Sequence, residues 1–190
     1  MTGLHSVPPD IGQGGVYEPL KGLFLFAAVA MKDSRGIFMQ LQRFDDSSEL
    51  PSVNLRQVNL AVTQQRGTVR GLHFQDITTS EHKRVQCVRG AVFDVALDVR
   101  PTSPTLGQWF GTELSAHNNH VMWLSPGFAH GVQALQDDSA VLYLHSADYE
   151  PTLEFGINPL DTGLGIAWPL SPHSLSERDL KLPTLQEFLQ

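Results

Sequence analysis

Six side chains spread along the sequence have the types needed to move a proton and hold the charge left behind. They are Arg70 and His73 in "VRGLHFQ", Lys83 in "EHKRVQC", His130 in "SPGFAHGVQ", Tyr143 in "VLYLHS" and Asp179 in "SERD". An imidazole, with an ordinary pKa of about 6.5, suits a general base near neutral pH. A phenol, with an ordinary pKa of about 10, stays protonated at pH 7 and can deliver a proton. A cation placed at a developing oxyanion and a carboxylate placed behind an imidazole support such a pair. Each residue also has an ordinary reading. His73 lies among apolar residues and would pass for a core histidine satisfied by a backbone carbonyl. Tyr143 shares strand parity with Val141 and His145, as a core tyrosine would. Lys83 stands between His82 and Arg84, as in a solvated turn, and Asp179 matches the acid of a capping box opened by Ser176. Chemistry follows only if one fold gathers the set around one cavity.

The elements available to do so are mostly strands. "GAVFDVALDVR" alternates, with Phe93, Val95, Leu97 and Val99 on one face and Asp94, Ala96, Asp98 and Arg100 on the other. "HVMWLSPGFAHGVQAL" and "SAVLYLHSADY" are apolar runs bounded by Gly, Pro, Ser and Asp. "GLFLFAAVAM" at 22–31 reads as a buried strand, being far too short to span a bilayer and preceded by Asp10 and Glu18. Arg-Gly pairs recur at 35–36, 66–67, 70–71 and 89–90, and at least some of them are expected to mark turns or bulges. Helix is expected only near the end, where "SERD" (176–179) and "TLQE" (184–187) match the capping-box pattern. Short strands punctuated by Gly and Pro predict an all-β sandwich or barrel in a single domain over 1–190. Residues 1–20 are rich in Gly and Pro and expected to be flexible, and 171–190 form a helical tail. On a sandwich Asp94 and Asp98 would point to solvent; in a barrel that holds a ligand the same face would line the cavity.

Composition narrows the partners. A formal charge of −7 argues against a nucleic-acid surface, which needs a broad basic face, but leaves room for a small anion held by a few arginines. The single cysteine, Cys87, rules out an intrachain disulfide and fits a reducing compartment. With no segment suited to a membrane, a cytoplasmic protein is expected.

Five blocks, "DSRGIFMQ", "VRGLHFQ", "KRVQCVRGAVFDVALDVRPTSPTLGQWFGTELS", "MWLSPGFAHGVQAL" and "GLGIAWPL", resemble the dTDP-4-dehydrorhamnose 3,5-epimerase family, in the family's order. The resemblance runs from about Asp33 to Asp179. It implies a cupin-type, jelly-roll β-barrel with short C-terminal helices, homodimeric, with N-terminal strands that cross to the partner. It implies a dTDP-linked 4-keto-6-deoxyhexose as substrate and no metal or organic cofactor. Carried across by position, His73 becomes the catalytic base, Asp179 its dyad partner, Tyr143 the acid on the opposite face and Lys83 the cation at the keto oxygen. Arg70 falls at the diphosphate, and Arg35, Gln57 and Asn59 at positions that reach substrate, some from the neighbouring subunit. His130 and Tyr149 match pocket positions. The chemistry agrees with these types, because only the carbons flanking a ketone are acidic, their carbanion delocalising as an enolate. Inversion there needs a base, an opposed acid and positive charge at the oxyanion.

One conflict and several departures accompany the resemblance. Residues three apart in a regular strand face opposite ways, so Arg70 and His73 both reach one site only if Gly71 allows a bulge. Gln40 stands where the family often has Glu, Leu144 where a Lys is common, and "QVNLA" (57–61) in place of "QDNHS". One extra residue separates that block from Arg70, and the segment between "WPL" and Asp179 is one residue shorter than expected. These changes spare the base, acid and dyad and bear on which sugar is bound and whether C-3, C-5 or both are inverted. A metal-dependent cupin using His73, His130 and His145 is disfavoured because "HFQ" ends in Gln75 where a His-x-His is needed. A sugar-nucleotide binder without activity would not need the full set.

Overall fold

Strand β8 (Ala91–Asp98) is buried along its whole length on both faces, and the molecule is arranged in layers around it. The computed structural model describes residues 9–12, 15–41 and 53–190. The other strands are β1 (Val16–Leu20), β2 (Leu23–Ala27), β3 (Ala30–Asp33), β4 (Gly36–Met39), β5 (Gln57–Thr63), β6 (Val69–Gln75), β7 (Lys83–Arg89), β9 (Trp109–Ser115), β10 (His120–Leu124), β11 (Phe128–Ala134), β12 (Ser139–His145) and β13 (Glu154–Gly156). A five-stranded sheet has the order β13-β6-β11-β8-β9, and a six-stranded sheet the order β1-β2-β10-β7-β12-β5. The two face each other as a cupin-type jelly roll, and β3 and β4 form a separate two-stranded hairpin. Among the described residues no helix is long and apolar enough to cross a membrane.

The period of two along β8 sorts its side chains between two cores. Val92 and Ala96 point between the sheets and meet Leu25, Val85, Phe110 and Met122. Phe93, Val95, Leu97 and Val99 point outward and are covered by Ile157, Leu164 and Leu185 from the C-terminal segment. Trp109 and Trp168 fasten that segment by donating Nε1–H to the carbonyls of Leu164 and Pro159, each at 2.9 Å. The tail therefore packs across one sheet, ending in α1 (Glu177–Leu180) and α2 (Leu185–Phe188).

Both aspartates of β8 are buried, and neither faces solvent. Asp94 points into the barrel, while Asp98 is held by Arg100, Ser103 and Thr105 at the start of the following turn. Cys87 is a buried strand residue whose thiol is pushed up to about 11, chiefly by burial. The apolar run at 22–31 is not one strand. It breaks at Ala28 and Val29, and beyond the break Met31 is exposed on the hairpin. Of the leader expected to be flexible, Val16–Leu20 is strand β1, paired with β2, whereas 1–8 and 13–14 lie outside the described residues.

Candidate active site

A cavity of about 550 Å³ opens between the two sheets at one end of the barrel. On the five-stranded sheet, β6 carries both Arg70 and His73 into it, and Gly71 makes this possible. His73 pairs with His130 and Arg70 with Val132, so three steps along β6 match two along β11. At this bulge Gly71 has φ +114°, and a Cβ there would lie 2.6 Å from the His130 carbonyl oxygen. The bulge sets Arg70 and His73 on the same wall. The Arg70 Nε–H donates to Thr63 Oγ1 at 3.0 Å, leaving the end of the guanidinium at the opening.

Behind His73 stands Asp179. Ser176 caps α1 by accepting the Asp179 backbone N–H at 3.0 Å, but the Asp179 carboxylate does not close a capping box. Its Oδ1 lies 2.7 Å from His73 Nε2, and its Oδ2 accepts the Gly71 N–H at 3.3 Å. Burial pushes the Asp179 carboxyl up, but the His73 hydrogen bond and charge and the Gly71 N–H outweigh it and leave the group below its usual range. An ionised carboxylate only accepts, so Nε2 carries a proton, and in the neutral ring it is Nδ1 that keeps the lone pair. The ring makes no other hydrogen bond among the described residues.

Across the cavity, β12 and β7 supply Tyr143 and Lys83 from the six-stranded sheet. The Tyr143 phenol is pushed far above its usual range by burial and then by the Asp94 charge, so it is protonated at any ordinary pH. Its ring meets that of His130 edge-on at 5.8 Å, and His130 Nε2 sits 2.9 and 3.0 Å from the two oxygens of Asp94 on the floor. Lys83 Nζ lies 3.4 Å from Glu81, while its neighbour Arg84 is buried on the opposite face. The arrangement offers a free imidazole lone pair on one wall, a protonated phenol on the other and an ammonium beside them. It suits proton removal and return on opposite faces of a small flat ligand.

The sequence matches the family model described as dTDP-4-dehydrorhamnose 3,5-epimerase over residues 18–187. The chain belongs to this epimerase family. A dTDP-4-dehydrorhamnose 3,5-epimerase of Mycolicibacterium smegmatis is 40% identical over 171 residues, covering 88% of this chain and 84% of that protein. A dTDP-4-dehydrorhamnose 3-epimerase of Streptomyces niveus is 41% identical over 163 residues, covering 84% of this chain and 78% of that protein. Among solved structures, the dTDP-6-deoxy-D-glucose 3,5-epimerase of Legionella pneumophila in complex with dTDP-4-keto-L-rhamnose superposes with a TM-score of 0.83 at 35% identity. That match covers 88% of this chain and 90% of the other.

Of the positions read from the epimerase family, His73, Tyr143, Asp179, Lys83, Arg70, Asn59, His130 and Tyr149 all line the cavity. Asn59 lies on β5 directly across from Tyr143. Tyr149 stands exposed at the rim and donates its hydroxyl to Glu154 at 2.6 Å. Two expected positions do not reach the cavity within this chain. Gln57 turns its amide to the Ala147 carbonyl at 3.0 Å, and Arg35 sits 88% exposed at the hairpin turn, bound to Asp33 at 2.6 Å. Arg35 stands on the turn of a hairpin that belongs to neither barrel sheet, and the edge position of β5 lets Gln57 bond the loop after β12.

The sequence reading did not single out Glu81, Glu154 or Arg178, which also line the cavity. Arg178 reaches Glu154 at 2.8 Å from the residue before Asp179. Glu81 lies two residues before Lys83 in the segment leading into β7, where no strand pattern marks it. The three imidazoles weighed as metal ligands are each engaged by a separate carboxylate: His73 by Asp179, His130 by Asp94 and His145 by Glu81. Among the described residues no group of three or more His, Cys, Asp or Glu converges as a metal site.

Proposed function

We propose that the chain is an isomerase that inverts C-3 and C-5 of dTDP-4-dehydro-6-deoxyglucose, giving dTDP-4-dehydrorhamnose. The observation that carries this reading is that His73 and Tyr143 line the same cavity from opposite sheets. A sugar ring between them would show one face to each. His73 Nδ1 takes the proton from the carbon beside the ketone, and the C–H electron pair moves into the enolate. Lys83 balances the negative charge on the former keto oxygen, a type of support worth roughly 10²–10³-fold. Tyr143 then delivers its phenolic proton to the opposite face of the carbon. Asp179 steadies the imidazolium formed in the first step. Arg70, at the opening, meets the diphosphate, with Asn59 and Tyr149 along the nucleotide's path. His130, fixed by Asp94, shapes the floor under Tyr143.

The Streptomyces niveus relative favours a second reading, inversion at C-3 alone, since a protein of that name matches about as well as the 3,5-epimerase. Incubation with the keto sugar nucleotide in heavy water, followed by NMR, separates the two. Deuterium at C-3 and C-5 supports the first, deuterium at C-3 only supports the second, and no deuterium refutes both.

A homodimer fits the same reading. The β3–β4 hairpin exposes Met31, Ile37 and Phe38, and the outer face of β5 exposes Val58, Leu60 and Val62, apolar surface that a second copy would cover. A partner's hairpin would also bring an Arg35 toward the pocket. Size-exclusion chromatography with light scattering is expected to give twice the chain mass, and a monomer would overturn this part. We place the enzyme in the cytoplasm, in keeping with its lone buried thiol.

A further inference from the structure

Two cavity residues have no part in the chemistry above, and they form one unit with two that do. The Glu81 carboxylate lies 2.8 Å from His145 Nδ1 and 3.4 Å from Lys83 Nζ, and accepts the Gln75 amide at 3.4 Å. His145 and Lys83 are cross-strand partners on β12 and β7. The His145 ring lies nearly parallel to that of Tyr143, with centroids 6.0 Å apart and planes at 26°. Glu81 is thus a hub linking the cation to an imidazole stacked on the acid.

The hub fixes a tautomer. Burial pushes the Glu81 carboxyl up, but the His145 hydrogen bond and the Lys83 charge outweigh it and keep the group below its usual range. An ionised carboxylate has nothing to donate, so His145 Nδ1 carries a proton and Nε2 of the neutral ring is a bare acceptor. That ring makes no second hydrogen bond among the described residues. A bare acceptor lining a ligand cavity calls for a donor on the ligand.

We propose that His145 Nε2 accepts the hydroxyl carried by the sugar carbon next to the ketone, and that Glu81 is the positioning residue that holds it ready. With Lys83 at the keto oxygen, its cross-strand partner falls beside a carbon adjacent to the ketone. Of the two such carbons, C-3 carries a hydroxyl, whereas C-5 carries only the ring oxygen and a methyl. The contact therefore selects sugars with a 3-hydroxyl and fixes which way round the ring lies between His73 and Tyr143. The inference rests on the epimerase reading of this pocket.

The test compares kcat/KM for solvent-deuterium exchange on the keto sugar nucleotide and on its 3-deoxy analogue, at whichever carbon the parent enzyme labels. The parent should lose about tenfold on the analogue, the scale of one net hydrogen bond. His145→Phe keeps a stacked ring without the acceptor and should treat the two substrates alike. His145→Gln carries an amide oxygen to the place of Nε2 and should recover most of the discrimination. Glu81→Gln can donate to Nδ1 and push the proton to Nε2, so it should discriminate less than the parent. A parent that handles both substrates equally, or a His145→Phe enzyme that discriminates as strongly as the parent, overturns the inference. Should His145→Phe not fold, Glu81→Gln takes its place: a Glu81→Gln enzyme that discriminates as strongly as the parent overturns the inference. A parent that labels no carbon instead refutes the epimerase reading itself.

Discussion

Replacing Asp179 with asparagine swaps one oxygen for an NH2 group, and the hydrogen bonds around it fix which oxygen is lost. Asp179 Oδ2 faces the Gly71 N–H, which can only donate, so the amide oxygen of the variant must take that place. The NH2 group then faces His73 Nε2 at the position where Oδ1 now stands 2.7 Å away. Facing a donor, Nε2 becomes an acceptor and the ring proton moves to Nδ1, the atom whose lone pair is needed as the base. The variant also loses the negative charge that supports the imidazolium. A hydrogen bond to a charged group contributes about 1.5–3 kcal/mol, or about 10- to 150-fold in rate. Adding the wrong tautomer, Asp179→Asn should slow exchange by at least about 10²-fold while ligand affinity changes little. The assay is deuterium incorporation from heavy water, with dTDP binding followed by calorimetry. An Asp179→Asn enzyme within about threefold of the parent rate would refute the reasoning, since neither the charge nor the tautomer would then matter.

Other perturbations bear on the frame that holds the site. A Cβ added at Gly131 would lie 2.6 Å from Leu72 Cδ2 and 2.9 Å from the Arg70 carbonyl, so Gly131→Ala should push β6 away. We expect a loss of about 1–3 kcal/mol in chemical denaturation and a weaker enzyme, and unchanged stability would contradict the packing described. Acid should destabilise the fold. Asp98, Glu81 and Asp179 are each held below their usual range when folded: burial raises all three, but Arg100 with Ser103, His145 with Lys83, and His73 respectively more than compensate. A carboxyl with a lowered folded pKa stabilises fully above its unfolded value, about 3.9–4.3, and loses that contribution as pH falls through the folded value. These three carboxyls should therefore lower the melting temperature steeply below about pH 4, and a profile that stays flat between pH 5 and pH 3 would contradict the pairings around them.

Much of this frame was legible because it is local. The alternation of Phe93, Val95, Leu97 and Val99 needs only the pleat of one strand, and the capping box at Thr184 and Glu187 needs only one turn. The similar-looking SERD segment behaves differently because His73, 106 residues away, captures the carboxylate that would have closed the box. Gly71 announced a bulge, but which side chains it turned inward depended on the register against β11. The pairing of Glu81 with His145 lay further out of reach, since it follows from the juxtaposition of β7 and β12. Asp94 and Asp98 share one strand face and have different surroundings, because one lies within the barrel and the other meets a turn that supplies its own arginine and hydroxyls.

The central claim is that His73 and Tyr143 act on opposite faces of one sugar ring, and removing them one at a time in heavy water tests it most directly. Tyr143→Phe should still place deuterium beside the ketone, because His73 can take a proton, exchange it with solvent and return it to the same face. The labelled sugar should keep its starting configuration. His73→Ala should give neither label nor inversion. A Tyr143→Phe enzyme that inverts at the parent rate, or a His73→Ala enzyme that still exchanges, would contradict the account.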